Sequence, residues 1–238
     1  MIKNKVMRIV ITRPKEKAFC TSEKIKKMDH TPIMMPLSYF THDKEAVKIA
    51  CQQPYAAIAI TSSEAIKTLP PNVSHHTPIF ASGEKSALIA QKKGFYNIFH
   101  GIGHSIDLAQ KIIQQKKIFK SKIPLLYLAG KSRNTYFENY MIEHQIPIRI
   151  IECYSTWSIT YTKNDVKKSL QNADAILFYA KSAVSRFFLL PSYIKKSAYL
   201  FCLSHNIAKE IPESCKNKVF ISNLPKESSI LELLKDNI

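Results

Sequence analysis

One local pattern occurs twice in this 238-residue chain and constrains its fold more than any other feature. Residues 58–66 read IAITSSEAI, and residues 176–184, 118 positions later, read ILFYAKSAV. Each is a short apolar run, a small polar turn and a helix start. A proline-bearing loop follows each, and then a second unit of the same kind: TPIFASGEKSA at 77–87 and AYLFCLSHNIA at 198–208, an offset of 121. Two similar offsets point to two domains with the same order of strands and helices. Strands that alternate with helices require parallel sheets covered on both faces.

The remaining segments keep that alternation. Residues 7–11 form an apolar strand broken by Thr12-Arg13-Pro14. Residues 16–28 read as a helix with Ala18, Phe19 and Ile25 inside. Residues 33–35 read as a strand closed by Pro36. Residues 37–43 lack periodicity and read as a connection, followed by a helix over 43–51. Gly94 ends a helix, residues 97–99 make an edge strand, and Ser105 caps a helix running to about 119. Residues 155–165, STWSITYTKND, read as a β-prone crossing. A helix over 165–171, a strand over 219–221 and a helix from 228 or 229 to 236 close the chain.

Between the two copies lies PLLYLAGKSRNTYFENYMIEHQIPIRIIECYSTW, residues 124–157. Leu125 to Ala129 is a buried strand ending at Gly130. Gly130-Lys131-Ser132-Arg133 opens a helix that runs to about His144, with Tyr136, Phe137, Tyr140 and Met141 as one apolar stripe. Ile148 to Cys153 is a further strand, which delivers Tyr154 to its C-terminal end, where open α/β sheets place ligands. The expected architecture is therefore α/β, with two similar parallel-sheet βα domains. Residues 1–38 and 157–238 form one discontinuous domain, and 42–152 are inserted as the other. A two-stranded crossing over 38–42 and 152–160 joins them, with a cleft between.

Charge narrows the partners. Thirty-five Lys and Arg against 18 Asp and Glu give +17, which suits an anionic partner or simply solvated lysine faces. Only five of the basic residues are arginine, whereas readers of nucleic acid lean on arginine forks. No apolar run reaches the ~18 residues of a membrane span, and the apolar part of the basic start is too short for a signal peptide, so a cytoplasmic protein without a membrane partner is expected. Five cysteines (Cys20, Cys51, Cys153, Cys202, Cys215) without a CxxC pair argue against a disulfide framework or zinc ribbon. Cys153 reads as a small strand residue facing away from Tyr154, because neighbours on a strand alternate faces. His75, His76, His100 and His104 read as solvated. The GIGHSI segment at 101–106 lacks the third glycine of a dinucleotide loop, so no cofactor and no metal is expected.

These residues, in this order, resemble the uroporphyrinogen-III synthase family over essentially the whole chain. Thr12-Arg13-Pro14 resembles the family's start, Thr61-Ser62 its first "TS" turn, and residues 82–87 (SGEKSA) its "VGxxTA" turn. Gly94-Phe95 and Ser105 fit the segment that follows. Gly130, Arg133, Tyr140 and the CYST stretch at 153–156 resemble the run that ends in the family's active-site tyrosine. The second copy departs: Tyr179-Ala180 stands where the family has "TS", and residues 204–208 (SHNIA) stand where it has "GxxTA".

The resemblance implies a lyase of tetrapyrrole and haem biosynthesis. Its substrate would be hydroxymethylbilane, a linear tetrapyrrole polycarboxylate that could be handed over by the preceding enzyme of the pathway. Water is lost and the macrocycle closes with inversion of the last ring through a spiro intermediate, which is catalysis by positioning. Tyr154 would be the general acid. A flexible polyanion needs distributed donors, such as helix N-termini. Substrate contacts are therefore expected from Arg13, Thr61, Ser62, Ser63, Gly83, Lys85, Ser86, Gly130, Lys131, Ser132, Arg133, Lys181 and Ser182. Two rivals stand beside this reading. One is a non-catalytic polyanion- or nucleic-acid-binding two-domain protein, supported by charge but by no recognition motif. The other is a degenerate family member acting as a sensor.

Overall fold

The computed structural model of the chain describes residues 6–119, 122–191, 195 and 197–237; the basic start at 1–5 lies outside them. In chain order the strands and α-helices are Arg8–Ile11 (β1), Lys15–Lys26 (α1), Thr31–Met34 (β2), Ser38–His42 (β3), Lys44–Ala50 (α2), Ala57–Ile60 (β4), Ser63–Ile66 (α3), Ile79–Ala81 (β5), Glu84–Lys92 (α4), Ile98–His100 (β6), Ser105–Gln114 (α5), Leu125–Gly130 (β7), Tyr136–Glu143 (α6), Ile148–Ser158 (β8), Lys163–Leu170 (α7), Ala175–Phe178 (β9), Lys181–Phe188 (α8), Tyr199–Cys202 (β10), His205–Ala208 (α9), Val219–Ile221 (β11) and Glu227–Asn237 (α10). The chain divides into two compact units, one of residues 1–39 and 157–238, the other of residues 40–156. Strands β3 and β8 span the two points where the chain passes from one unit to the other.

The first unit carries a five-stranded sheet in the order β11-β10-β9-β1-β2, its neighbours all parallel. Its centre reads as uninterrupted apolar runs because both faces are covered. Ile9, Ile11 and Leu177 pack with Ala18, Ile25 and Ile230 on one face, and Val10, Ile176 and Phe178 with Val166, Val184 and Phe187 on the other. On α1 the buried set is Ala18, Thr21, Ser22 and Ile25, a spacing of three, four and seven, while Phe19 is exposed. The expectation that Phe19 is inside is thereby corrected: it falls about 100° round the helix from Ala18.

The second unit carries a six-stranded sheet in the order β3-β8-β7-β4-β5-β6. From β4 the chain winds outward through β5 and β6, then returns and winds the other way through β7 and β8. The winding therefore reverses between β4 and β7. All six residues of β7 are buried. Fully burying a leucine such as Leu126 or Leu128 contributes about 1.5–3 kcal/mol. The repeated βα unit is present in both sheets, since β4 pairs in parallel with β5 and β9 with β10.

Several local expectations are corrected. Residues 38–42, which lack periodicity of their own, form β3 along the sheet edge that the long β8 offers. Helix α6 begins at Tyr136 rather than at Gly130, and Thr135 precedes it without a side-chain cap. Phe137 and Met141 are buried, whereas Tyr136 is exposed, so the apolar stripe is narrower than the spacing suggests. His104, not Ser105, holds the cap position of α5. Strand β8 runs on to Ser158, so Tyr154 lies within it rather than at its end.

Candidate functional site

The C-terminal edge of the six-stranded sheet gathers most of the anticipated residues. In doubly wound sheets the crevice where the winding reverses is the usual ligand position. Here it lies beyond the ends of β4 and β7, and Thr61, Ser62, Gly130 and Tyr154 meet there.

Tyr154 is placed by a β-bulge. Ala129 on β7 pairs with Glu152, and Gly130 pairs with Tyr154, so Cys153 is the extra residue. Before the bulge β8 alternates: Ile148 and Ile150 pack on one face of the sheet, Ile151 and Cys153 on the other. The extra residue resets the alternation, and Tyr154 joins Ile151 and Cys153 on the same core cluster. Cys153 therefore does not face away from Tyr154 as simple strand alternation requires. It is fully buried, and burial pushes its thiol up to about 11, which leaves it no thiolate for nucleophilic work near neutral pH.

Gly130 makes room for the tyrosine ring. A Cβ added there would lie 2.6 Å from Tyr154 Cζ and 2.7 Å from its hydroxyl oxygen. The Lys131 N–H donates to the Tyr154 carbonyl at 2.9 Å, and Phe40 meets the ring edge-on with centroids 6.1 Å apart. Ser62 caps α3, accepting from the Glu64 N–H at 3.2 Å, and its hydroxyl bonds the Tyr154 phenol. Burial, with Cys153 and Glu64 nearby, raises the Tyr154 pKa above its usual value against the opposing pull of Ser62 and Arg133. The phenol is thus protonated at neutral pH.

Around Tyr154 stand residues that the sequence reading did not single out. Tyr127 on β7 shares a hydrogen bond with Thr61 Oγ1 at 3.1 Å, and burial raises its pKa. Glu64 is a buried carboxylate, its side chain 2% exposed, that contacts His42 Nε2 at 3.2 Å and Lys67 Nζ at 3.0 Å. His42, Lys44, Lys131, Glu152, Tyr154 and Ser155 contribute to the wall of a cavity of about 580 Å³.

The other anticipated residues are distributed as follows. Ser63 opens α3 and Gly83 caps α4 in extended backbone; Lys85 is exposed on that helix and Ser86 is buried. Lys131 and Ser132 are exposed in the turn after β7. Arg133 is engaged within the unit. It binds Glu138, donates to Glu152 at 2.8 Å and to the Gly130 carbonyl at 3.0 Å, and these carboxylates raise its pKa. Arg13, Lys181 and Ser182 belong to the other unit, after β1 and β9. Arg13 lies 4.1 Å from the ring centroid of Tyr179 and pairs with Glu227 at 2.7 Å; Lys181 pairs with Glu210 at 3.0 Å. Among the described residues no group of three or more His, Cys, Asp or Glu is placed to hold a metal ion, and no helix is long and apolar enough to cross a membrane.

The family model described as "Uroporphyrinogen-III synthase HemD" matches residues 20–232. The chain belongs to the uroporphyrinogen-III synthase family. Solved structures of two such synthases share its fold. That of Helicobacter pylori 26695 is 18% identical, with a TM-score of 0.64, over 97% of this chain and 99% of that one. A mutant of the enzyme from the extremely thermophilic bacterium Thermus thermophilus is 14% identical, with a TM-score of 0.58, over 97% of each. No curated protein sequence matches it. Membership in the uroporphyrinogen-III synthase family points to an enzyme of haem biosynthesis with a tetrapyrrole substrate. Nothing in the comparisons favours a nucleic-acid-binding or sensor role.

Proposed function

We propose that this uroporphyrinogen-III synthase family member acts as a cyclising hydro-lyase on hydroxymethylbilane, with Tyr154 as its acid. The observation that supports this reading is the seating of the Tyr154 phenol, protonated, over Gly130 in the crevice where the sheet reverses.

The Ser62 hydroxyl oxygen accepts from the Glu64 N–H, so its own O–H is available to the phenol oxygen. The phenol hydrogen is then free for an external acceptor, the hydroxyl of the substrate's hydroxymethyl group. Because the pKa is raised, this is hydrogen-bond donation as the C–O bond breaks rather than early transfer of the proton. The phenol proton passes to the leaving oxygen late in C–O cleavage, so water departs and a phenolate remains, while the pyrrole nitrogen's lone pair stabilises the methylene cation. The substituted ring carbon of the last pyrrole attacks this methylene to give the spiro intermediate; its older bond to the neighbouring ring's methylene then breaks, that methylene bonds to the free ring carbon, and the proton this carbon loses restores the phenol. The substituted carbon is the hindered one, so the site must hold the chain curled.

Substrate carboxylates would meet Lys131 at the cavity wall and the N–H groups after β4 and β5, at Ser62, Ser63, Gly83 and Lys85, while the Ser86 N–H is taken by the Gly83 carbonyl at 3.1 Å. Thr61 would hold Tyr127 in the crevice wall. Ser132 and Arg133 would order the turn after Gly130, Arg133 through its two carboxylates. Arg13, Lys181 and Ser182 remain proposed contacts from the other unit.

The test is incubation with freshly generated hydroxymethylbilane, followed by oxidation and separation of type I and type III isomers. Protein-dependent type III excess is expected. Type I alone at the spontaneous rate would overturn the assignment.

A further inference from the structure

A second cavity, of about 550 Å³, lies in the unit of residues 40–156. Four lysines line it against one carboxylate. Lys44 and Lys48 come from α2, Lys67 follows α3 and Lys93 follows α4. Its floor is apolar and rigid: Leu69, Val73 and Phe95 are buried, and Pro70-Pro71 fix the loop between them. The imidazole of His75 stacks edge-on against Phe95, with centroids 5.6 Å apart, and closes one side.

The nearby carboxylates are engaged. Glu45 takes Lys48 at 3.5 Å, and Glu64 takes Lys67 at 3.0 Å. Lys44 and Lys93 remain at the cavity with like charges close to each other. Burial, together with the Lys44 charge, lowers the Lys93 pKa, and its ammonium donates to the Leu69 carbonyl at 3.4 Å. Lysines that merely solvate a surface spread apart, whereas these converge from three elements on one concavity and repel. A bound anion would relieve that repulsion and supply charge-assisted bonds.

We propose that this cavity is a binding site for a small organic polyanion, two or more carboxylates or phosphates on an apolar body, held by Lys44 and Lys93 over the floor of Leu69, Val73 and Phe95. The site is separate from the Tyr154 cavity, although the first turn of α2 borders both, and it does not depend on the cyclase reading.

The test is calorimetric titration of the full chain at physiological ionic strength with benzene-1,3,5-tricarboxylate and with pyrophosphate. One-to-one saturable binding is expected, tighter for whichever anion has the ligand's chemistry. Lys44→Met and Lys93→Met should each weaken it about tenfold, the loss of one charge-assisted hydrogen bond. The exposed Lys116→Met should leave it unchanged, and Lys93→Arg should retain it. Dimethyl-lysine NMR should show the Lys93 titration moving upward on saturation. Binding that does not saturate, or that falls equally in Lys116→Met, would overturn the proposal and assign the charge to diffuse solvated faces.

Discussion

Gly130 and Tyr154 occupy paired positions on β7 and β8, and the tyrosine ring fills the volume a side chain at Gly130 would need. A Cβ there would approach the ring to 2.6 Å. Glycine is required by a neighbour's ring, not by a left-handed backbone. Gly130→Ala should therefore push the phenol away from Ser62. We expect a loss of about 1–3 kcal/mol of stability from overpacking, with a larger proportional loss of turnover. Thermal unfolding and steady-state rates on the same preparation check this; full activity would show that the ring's seat is not needed.

Glu64 places a buried negative charge near the phenol and raises its pKa. In Glu64→Gln the Tyr154 pKa should fall. The measurement is near-ultraviolet phenolate titration, with a Tyr154→Phe preparation as the subtraction control. An unchanged or higher value would remove Glu64 as an influence on the phenol. In the unaltered protein, protonation of Tyr154 predicts no loss of rate from this group until pH exceeds about 10.

In the other unit Glu227 accepts from Arg13 at 2.7 Å and Lys24 at 2.6 Å, and also binds Thr21. Burial pushes its carboxyl up, but the bonds from Lys24 and Thr21 and the Arg13 charge outweigh it, and the folded pKa is lowered. A lowered carboxyl pKa contributes stability above the unfolded value, and this is lost as pH falls through the folded value. Glu227→Gln should cost about 1–3 kcal/mol at neutral pH. The gap in Tm between variant and parent should close below about pH 4. A gap that persists into acid would show that the ion network is not what Glu227 contributes.

Much of the framework was legible because buried parallel strands are written as plain apolar runs: β1, β4, β7, β9 and β10 could be read directly, and the repeated βα unit pointed to two sheets. What failed was what depends on a neighbour. Residues 38–42 (SYFTH) have no core periodicity of their own, so they could be read as part of the crossing but not as an edge strand of the six-stranded sheet, beside β8. The bulge at Cys153 leaves no mark in the sequence, since an extra residue exists only relative to the register of β7. Tyr154 could be placed on β8, but the face it points to could not. Glu64 lies in the first turn of α3, and it is β3, at the edge of the sheet, that brings His42 to it. Tyr127, inside an apolar run, reads as core; its hydroxyl meets Thr61 only where β4 and β7 end side by side.

The central claim is that the Tyr154 phenol donates to the departing hydroxyl. Its most direct test is Tyr154→Phe, compared with the parent for type III formation from hydroxymethylbilane and for Tm. The account predicts an unchanged Tm, because the ring still fills its seat over Gly130, and a turnover lower by at least about tenfold. Equal turnover at equal stability would remove Tyr154 from the chemistry and contradict the account.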